Sequence, residues 1–307
     1  ITLTAPRDHG FLDAILRSPR IVGGVEASIE EFPFMAHLLL LGSWTGTFDP
    51  HCGGSLIKPT AVLSAAHCLV GSPSLCSVRV GSALIDSGGV VLEVKETIIH
   101  PDYIARLLIH DVAVIKLATS AELSEKVGIA TLALPDSVVP DNTLVTAIGF
   151  GLLSVCSFAN NIKVDVYKIN NQLCAERYAY LKTIPGFENT PDITPEKICA
   201  GILNVGGKDA CGGDSGGPLL YNSTVVGIVS WGFDCAHPFF PASWSSGQDT
   251  RLTITGVRVR IPDRYKVFTF VFFLYLFNFL VFFKENCTFS QKLRAKLGRP
   301  GTYSLTI

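Results

Sequence analysis

The stretch Gly207–Pro218, GKDACGGDSGGP, sets one serine and two aspartates among five glycines. A serine hydroxyl is a weak nucleophile at neutral pH, and becomes a strong one only beside a base whose far side is held by a carboxylate. Ser215, in GDSGGP, therefore needs an imidazole and an acid from elsewhere in the chain. Two stretches supply them in context: His67 in LSAAHC and Asp111 in HDVAVIKL.

The text around these motifs is that of an all-β protein. The short apolar runs FMAHLLLL, AVLSAA, SVRVG, VVLEV, VAVIKL, LVTAIGF and STVVGIVSW recur between Gly, Pro, Asn and Asp clusters, the spacing of a β-barrel or sandwich. Helical periodicity is confined to a short segment around Asn171–Leu181. The 307 residues are 48% hydrophobic and 17% charged, enough for a sizeable core, and the formal charge of −1 leaves no basic field to gather nucleic acid. None of the nine cysteines forms a C-x-x-C pair, so they read as disulfide partners in an oxidising compartment, outside the cell. The chain opens on Ile1 and has its one methionine at Met35, so a preceding export signal is expected.

His67, Asp111 and Ser215, in that order and with IVGG at Ile21, make the chain resemble the trypsin-like (chymotrypsin-fold) serine proteases from about Ile21 to Pro241. The resemblance implies two packed antiparallel six-stranded β-barrels with the active site in the cleft between them, and no cofactor or metal. It makes His67 the general base, Asp111 its orienting acid and Ser215 the nucleophile. The backbone N–H groups of Gly213 and Ser215 become the oxyanion hole, since a glycine lets the chain bend tightly there. Residues 1–20 become an activation peptide. Cleavage after Arg20 would free an ammonium group on Ile21 to pair with Asp214, so the uncut chain is expected to be a zymogen. Asp209 would sit at the base of the specificity pocket and select Arg or Lys side chains, with Ser230, Trp231 and Gly232 as the wall. The expected disulfides are Cys52–Cys68, Cys174–Cys199 and Cys211–Cys235, leaving Cys76, Cys156 and Cys287 without family partners. Protein or peptide substrates and proteinaceous inhibitors are the implied partners. The loop GSALIDSGGVVLEV, which holds calcium in some relatives, has only Asp86 and Glu93 as acids and serves a hard cation poorly.

After Pro241 the pattern breaks. Either Ala242 takes the position of a pocket-wall glycine and narrows the pocket, or residues 242–255 are an insertion and Gly256, Val257 and Val259 resume the strand; composition favours the second. The serine protease domain is thus expected over residues 21–265, aberrant after 241, followed by an apolar segment at 266–283 and a basic tail at 284–307. Val267–Phe283 is uncharged with eight phenylalanines, short for a membrane span of about 20 residues. Lys284, Lys292, Arg294, Lys296 and Arg299 follow it as a cytoplasmic flank would. A surface anchor and a translated non-coding stretch are both open readings of it. A disabled pocket would leave a non-catalytic homologue that binds through the same cleft. Asn222 opens the N-glycosylation sequon NST.

Overall fold

The structure, a computed structural model, describes residues 21–246 apart from 43–45, 70–72, 135–136, 151, 155–156 and 159–160. The leader with Arg20, the residues from 247 onward with the apolar segment and basic tail, and Cys156 and Cys287 lie outside the described residues.

After the two-residue strand β1 (Val25–Glu26), six strands form the first barrel: β2 (Met35–Leu41), β3 (Phe48–Lys58), β4 (Ala61–Ser64), β5 (Cys76–Val80), β6 (Val90–Ile99) and β7 (Ala113–Leu117). They close in the order β2-β3-β4-β7-β6-β5, every pairing antiparallel. Met35, Leu56, Val62, Val78 and Ile115 fill the interior. The short β8 (Thr131–Leu132) then leads to β9 (Leu144–Gly149), the ribbon β10 (Leu152–Ser154) and β11 (Ser157–Phe158), and β12 (Ile162–Ile169). The helix α1 (Asn171–Leu181) follows, and β13 (Lys197–Gly201), β14 (Pro218–Tyr221), β15 (Thr224–Trp231) and β16 (Ala242–Ser246) complete the described chain. The path β12-β13-β16-β15-β14-β9 closes through the pairing of β9 with β12, giving a second six-stranded antiparallel barrel. No helix among the described residues is long and apolar enough to cross a membrane.

All seven apolar runs are strands. In β12 the alternation puts Ile162, Val164 and Val166 inward, as a half-buried strand requires. The helix covers the expected residues. The Asn170 side chain caps it by accepting from the Leu173 N–H at 3.1 Å, and Cys174, Tyr178 and Leu181 share its buried face.

The far wall corrects the insertion reading. It is Ala242–Ser246, directly after Pro241, that pairs on one side with β13 and on the other with β15. The reason is packing: Trp244 fits wholly inside the second core, so the strand is placed by its one large apolar side chain despite three serines.

Candidate active site

Strand register brings the first two groups together. Ser64 of β4 pairs with Ala113 of β7, so the turn that follows β4 and the residues that precede β7 emerge side by side. His67 lies in that turn, a 3₁₀ segment over Ala66–Cys68. Its backbone N–H donates to Asp111 Oδ1 at 2.9 Å, and its Nδ1 lies 2.7 Å from Asp111 Oδ2. A carboxylate only accepts, so Nδ1 carries the proton and Nε2 is left as the basic nitrogen. Ser230 Oγ donates a third bond to Asp111 Oδ2 at 2.6 Å. Asp111 is fully buried. Burial alone would raise its pKa, but the His67 charge and the bonds from the His67 side chain, Ser230 and the His67 N–H hold it below the usual carboxylate value.

Ser215 lies in the turn before β14 of the second barrel and is tied to the first through its backbone. Its carbonyl accepts from the Gly53 N–H of β3 at 2.7 Å, while the Gly216 N–H donates to Val229 of β15 at 2.9 Å. Gly53 adjoins Cys52, which is disulfide-bonded to Cys68 beside His67. His51 sits at the bulge before Cys52. Burial and, less, the His67 charge lower its pKa to about 4 against the upward pull of a bond to the Cys68 backbone, leaving it neutral. The other two expected disulfides, Cys174–Cys199 and Cys211–Cys235, are also formed. Cys76 is a buried free thiol, its pKa raised by burial.

The turn before Ser215 is bent at Gly213, whose φ of 95° is open to glycine and strained for other residues. Among the described residues neither the Gly213 N–H nor the Ser215 N–H meets an acceptor. The next residue inward is Asp214, fully buried, whose Oδ2 accepts from the Ile21 nitrogen at 3.2 Å and the Cys211 N–H at 2.9 Å. This site has a requirement not evident from sequence: a β-carbon on Gly149 would stand 2.1 Å from Asp214 Oδ1, so only glycine lets the carboxylate lie there.

Asp209 is nearly inaccessible to solvent. Its backbone exchanges hydrogen bonds with Val22, Val22 N–H to Asp209 O at 2.9 Å and the return bond at 3.2 Å, so the segments of Ile21 and Asp209 are tied together. Its Oδ2 accepts from the Ala236 N–H at 3.1 Å, and its Oδ1 has no partner among the described residues. Burial, with a smaller push from Asp214, raises its pKa to about 8 against the pull of the Ala236 and Ala210 N–H groups. Above it the walls are close. A β-carbon on Gly232 would be 3.4 Å from Ala242 Cα and 3.6 Å from its methyl. Tyr178, another residue that sequence reading passed over, ties both flanks: its hydroxyl donates to Pro241 O at 2.7 Å and accepts from the Phe233 N–H at 3.1 Å. Its ring meets Trp231 edge-on with centroids 4.9 Å apart.

Cys52, His67 and Cys68 cluster at metal-ligand spacing, but the disulfide occupies both sulfurs. In the loop over residues 81–94, the guanidinium of Arg79 donates to the carbonyls of Gly88 at 2.5 Å and Asp86 at 3.2 Å, supplying a positive charge from the protein itself.

The family model for Trypsin matches residues 21–245. The chain is 37% identical to Trypsin CFT-1 of Choristoneura fumiferana, over 73% of this chain and 86% of that protein. It is 36% identical to Trypsin, alkaline C of Manduca sexta, over 72% and 84%, and 33% identical to the Vitellin-degrading protease of Bombyx mori, over 74% and 81%.

Proposed function

The chain belongs to the trypsin family of serine proteases, and on that premise we propose that it is a secreted endopeptidase, matured by cleavage after Arg20, that hydrolyses protein chains after Arg or Lys. The observation that carries the reading is the set of three hydrogen bonds converging on buried Asp111, two from His67 and one from Ser230. It holds the imidazole in one tautomer at the meeting of the two barrels.

Ser215 Oγ attacks the carbonyl carbon of the scissile peptide bond while His67 Nε2 takes its proton. The carbonyl oxygen becomes an anion between the Gly213 and Ser215 N–H groups; losing one such donor costs roughly 3–4 kcal/mol in enzymes of this kind. The C–N bond then breaks and His67 returns the proton to the departing amine, leaving an ester on Ser215. Water, deprotonated by the same nitrogen, attacks the ester and frees the acid product and Ser215.

Specificity rests on Asp209. A buried carboxyl with an unpartnered oxygen is a poor host for an apolar side chain and a good one for a guanidinium or ammonium group. The Ala242 methyl narrows the entrance relative to glycine, and a methyl-sized change in a pocket is worth about 1–3 kcal/mol between competing side chains. Asp214 is the receptor for the Ile21 ammonium released by maturation. Proteinaceous inhibitors that enter the cleft as substrates do are its expected partners.

The test is direct. The purified chain is matured with trypsin, freed of trypsin, and treated with a serine-directed covalent probe. One-to-one labelling of Ser215 with hydrolysis of an arginine ester is expected. Absence of labelling would leave the cleft as a binding site only.

A further inference from the structure

Lys197 is a fully buried lysine that plays no part in the chemistry described so far. It lies on β13, with its Nζ 2.6 Å from the carbonyl oxygen of Leu108 and 3.1 Å from Ser245 Oγ on β16. Leu108 belongs to the first barrel, three residues before Asp111. Its loop has bonds of its own, from His100 N–H to Val112 O at 3.0 Å and from Ile104 N–H to Ile109 O at 3.1 Å. Even so, Leu108 and His110 both have a φ of 50°, a conformation that non-glycine residues hold only when their surroundings impose it.

An ammonium group taken out of water costs several kcal/mol, which an apolar side chain of the same length would avoid. Filling space is therefore a poor reason for a lysine here. Fixing a strained carbonyl is a better one, because Nζ offers three donors in a dry site and Leu108 O is an acceptor at short range. We propose that Lys197 is a positioning residue for Asp111: it clamps the Leu108 carbonyl to the second barrel, so that the loop delivers the carboxylate to His67 in register with Ser215. Ser230 holds the side chain of Asp111 from the same barrel, and Lys197 holds the backbone leading to it.

The inference rests on the triad reading, and the experiment separates the two. In matured wild type and Lys197→Met, the labelled fraction of Ser215, the second-order rate of labelling, kcat and KM are measured together. Wild type that fails to label overturns the triad. Given labelling wild type, Lys197→Met should label completely but about tenfold more slowly, with kcat reduced in parallel and KM within twofold. A packing role alone would lower the melting temperature and leave the labelling rate unchanged. Labelling rate and kcat within twofold of wild type overturn the clamp. Should Lys197→Met not fold, Ser245→Ala removes one of the groups that aim Nζ. A two- to fivefold lower kcat is then expected, and an unchanged kcat rejects the proposal.

A separate observation concerns Asn222. Tyr221 and Thr224 pair across the β14–β15 hairpin, leaving Asn222 and Ser223 as a two-residue tip, both exposed, with φ of 49° and 59°. Strand β15 then runs eight residues from Thr224 to Trp231, about 3.3 Å per residue, so the tip stands roughly 20 Å or more from the cleft. We infer that Asn222 carries an N-linked glycan that leaves the cleft open. In protein secreted from insect cells, enzymatic deglycosylation should increase electrophoretic mobility. Thr224→Ala, which keeps the asparagine turn but destroys the sequon, should abolish that increase with kcat/KM within twofold. An unchanged mobility of wild type after deglycosylation overturns the inference.

Discussion

The two barrels hold their candidate site residues by different means. In the first, the His67–Asp111 pair follows from local register: once β4 lies antiparallel to β7, the two residues cannot be far apart. In the second, the Ser215 turn and the pocket sit in loops between strands and depend on contacts from far along the chain. Ile21 reaches Asp214 across 193 positions, Val22 pairs with Asp209, and Cys211 is bonded to Cys235. Burial favours the neutral form of a titratable side chain in both barrels. Burial holds His37 and His51 of the first barrel neutral, with pKa values of about 3 and about 4, while Asp209 of the second is raised to about 8. The first barrel is thus a scaffold that places His67 and Asp111 through its strands, and in the second the loops are tied to the N-terminal segment through Ile21 and Val22.

The largest effect should come from breaking the first barrel's contribution. Asp111→Asn leaves both barrels intact but lets His67 adopt the wrong tautomer, and kcat should fall about 10⁴-fold, the magnitude established for triad serine proteases and not one calculated for this chain. Unchanged melting with that loss, measured on an arginine ester, is the expected pair of results. A kcat within tenfold of wild type would mean that register alone, without the carboxylate, suffices.

The second barrel's dependence on distant contacts is sharpened by Gly149→Ala. The new methyl cannot coexist with Asp214 Oδ1 at 2.1 Å, so the carboxylate must move and the Gly213–Ser215 turn with it. Disabling an oxyanion donor costs roughly 10²–10³ in rate, and kcat/KM should fall by about 10²-fold. The same substitution should leave the His67–Asp111 pair in place, which an unaltered crystal geometry of the first barrel would confirm.

The burial of Asp209 predicts a pH dependence of its own. With a folded pKa of about 8, Asp209 is protonated at neutral pH in the empty pocket and must lose that proton to receive an amidinium. Benzamidine affinity should therefore fall about tenfold for each pH unit below 8 and level off above it, and Asp209→Asn should abolish the slope. The same shift acts on stability. The folded chain binds a proton that the unfolded chain, titrating near pH 4, has released, so this group's contribution declines as pH rises from about 4 through about 8. A flat affinity across pH 6–8 in wild type would place Asp209 in a solvated, ionised state.

Much of this was readable before any coordinates. Seven apolar runs and one helix lie where alternation and periodicity put them, and two of the three motifs, those of His67 and Asp111, are joined by hydrogen bonds. Strand β3 was not readable, because its sequence FDPHCGGSLIK breaks alternation with a proline and two glycines and is bulged at two places. Strand β12 has no contiguous apolar run, and its buried Ile162, Val164 and Val166 show only as an alternation with lysine, aspartate and tyrosine. At the site, Gly149 and Tyr178 were invisible for a different reason. Each acts on a residue more than fifty positions away, and a lone glycine or tyrosine carries no mark of such a partner. The far wall misled because serines resemble turn text; only the three-dimensional fit of Trp244 reveals the strand.

That last strand supplies the smallest and most local test of the difference between the barrels. In β16 the buried Ser243 Oγ, Trp244 Nε1 and Ser246 Oγ have no hydrogen-bond partner among the described residues. A buried polar group left unsatisfied costs about 1–3 kcal/mol, so β16 holds its place between β13 and β15 against a penalty carried by its own side chains. Ser243→Ala removes one such hydroxyl without creating a large cavity, and should stabilise the chain by about 1 kcal/mol in urea unfolding. In the first barrel, Ser64 donates to Gly53 O at 2.8 Å, and Ser64→Ala should destabilise by a similar amount. If both substitutions destabilise the chain, the hydroxyl of Ser243 is partnered after all, and the second barrel is no more strained at its closing strand than the first.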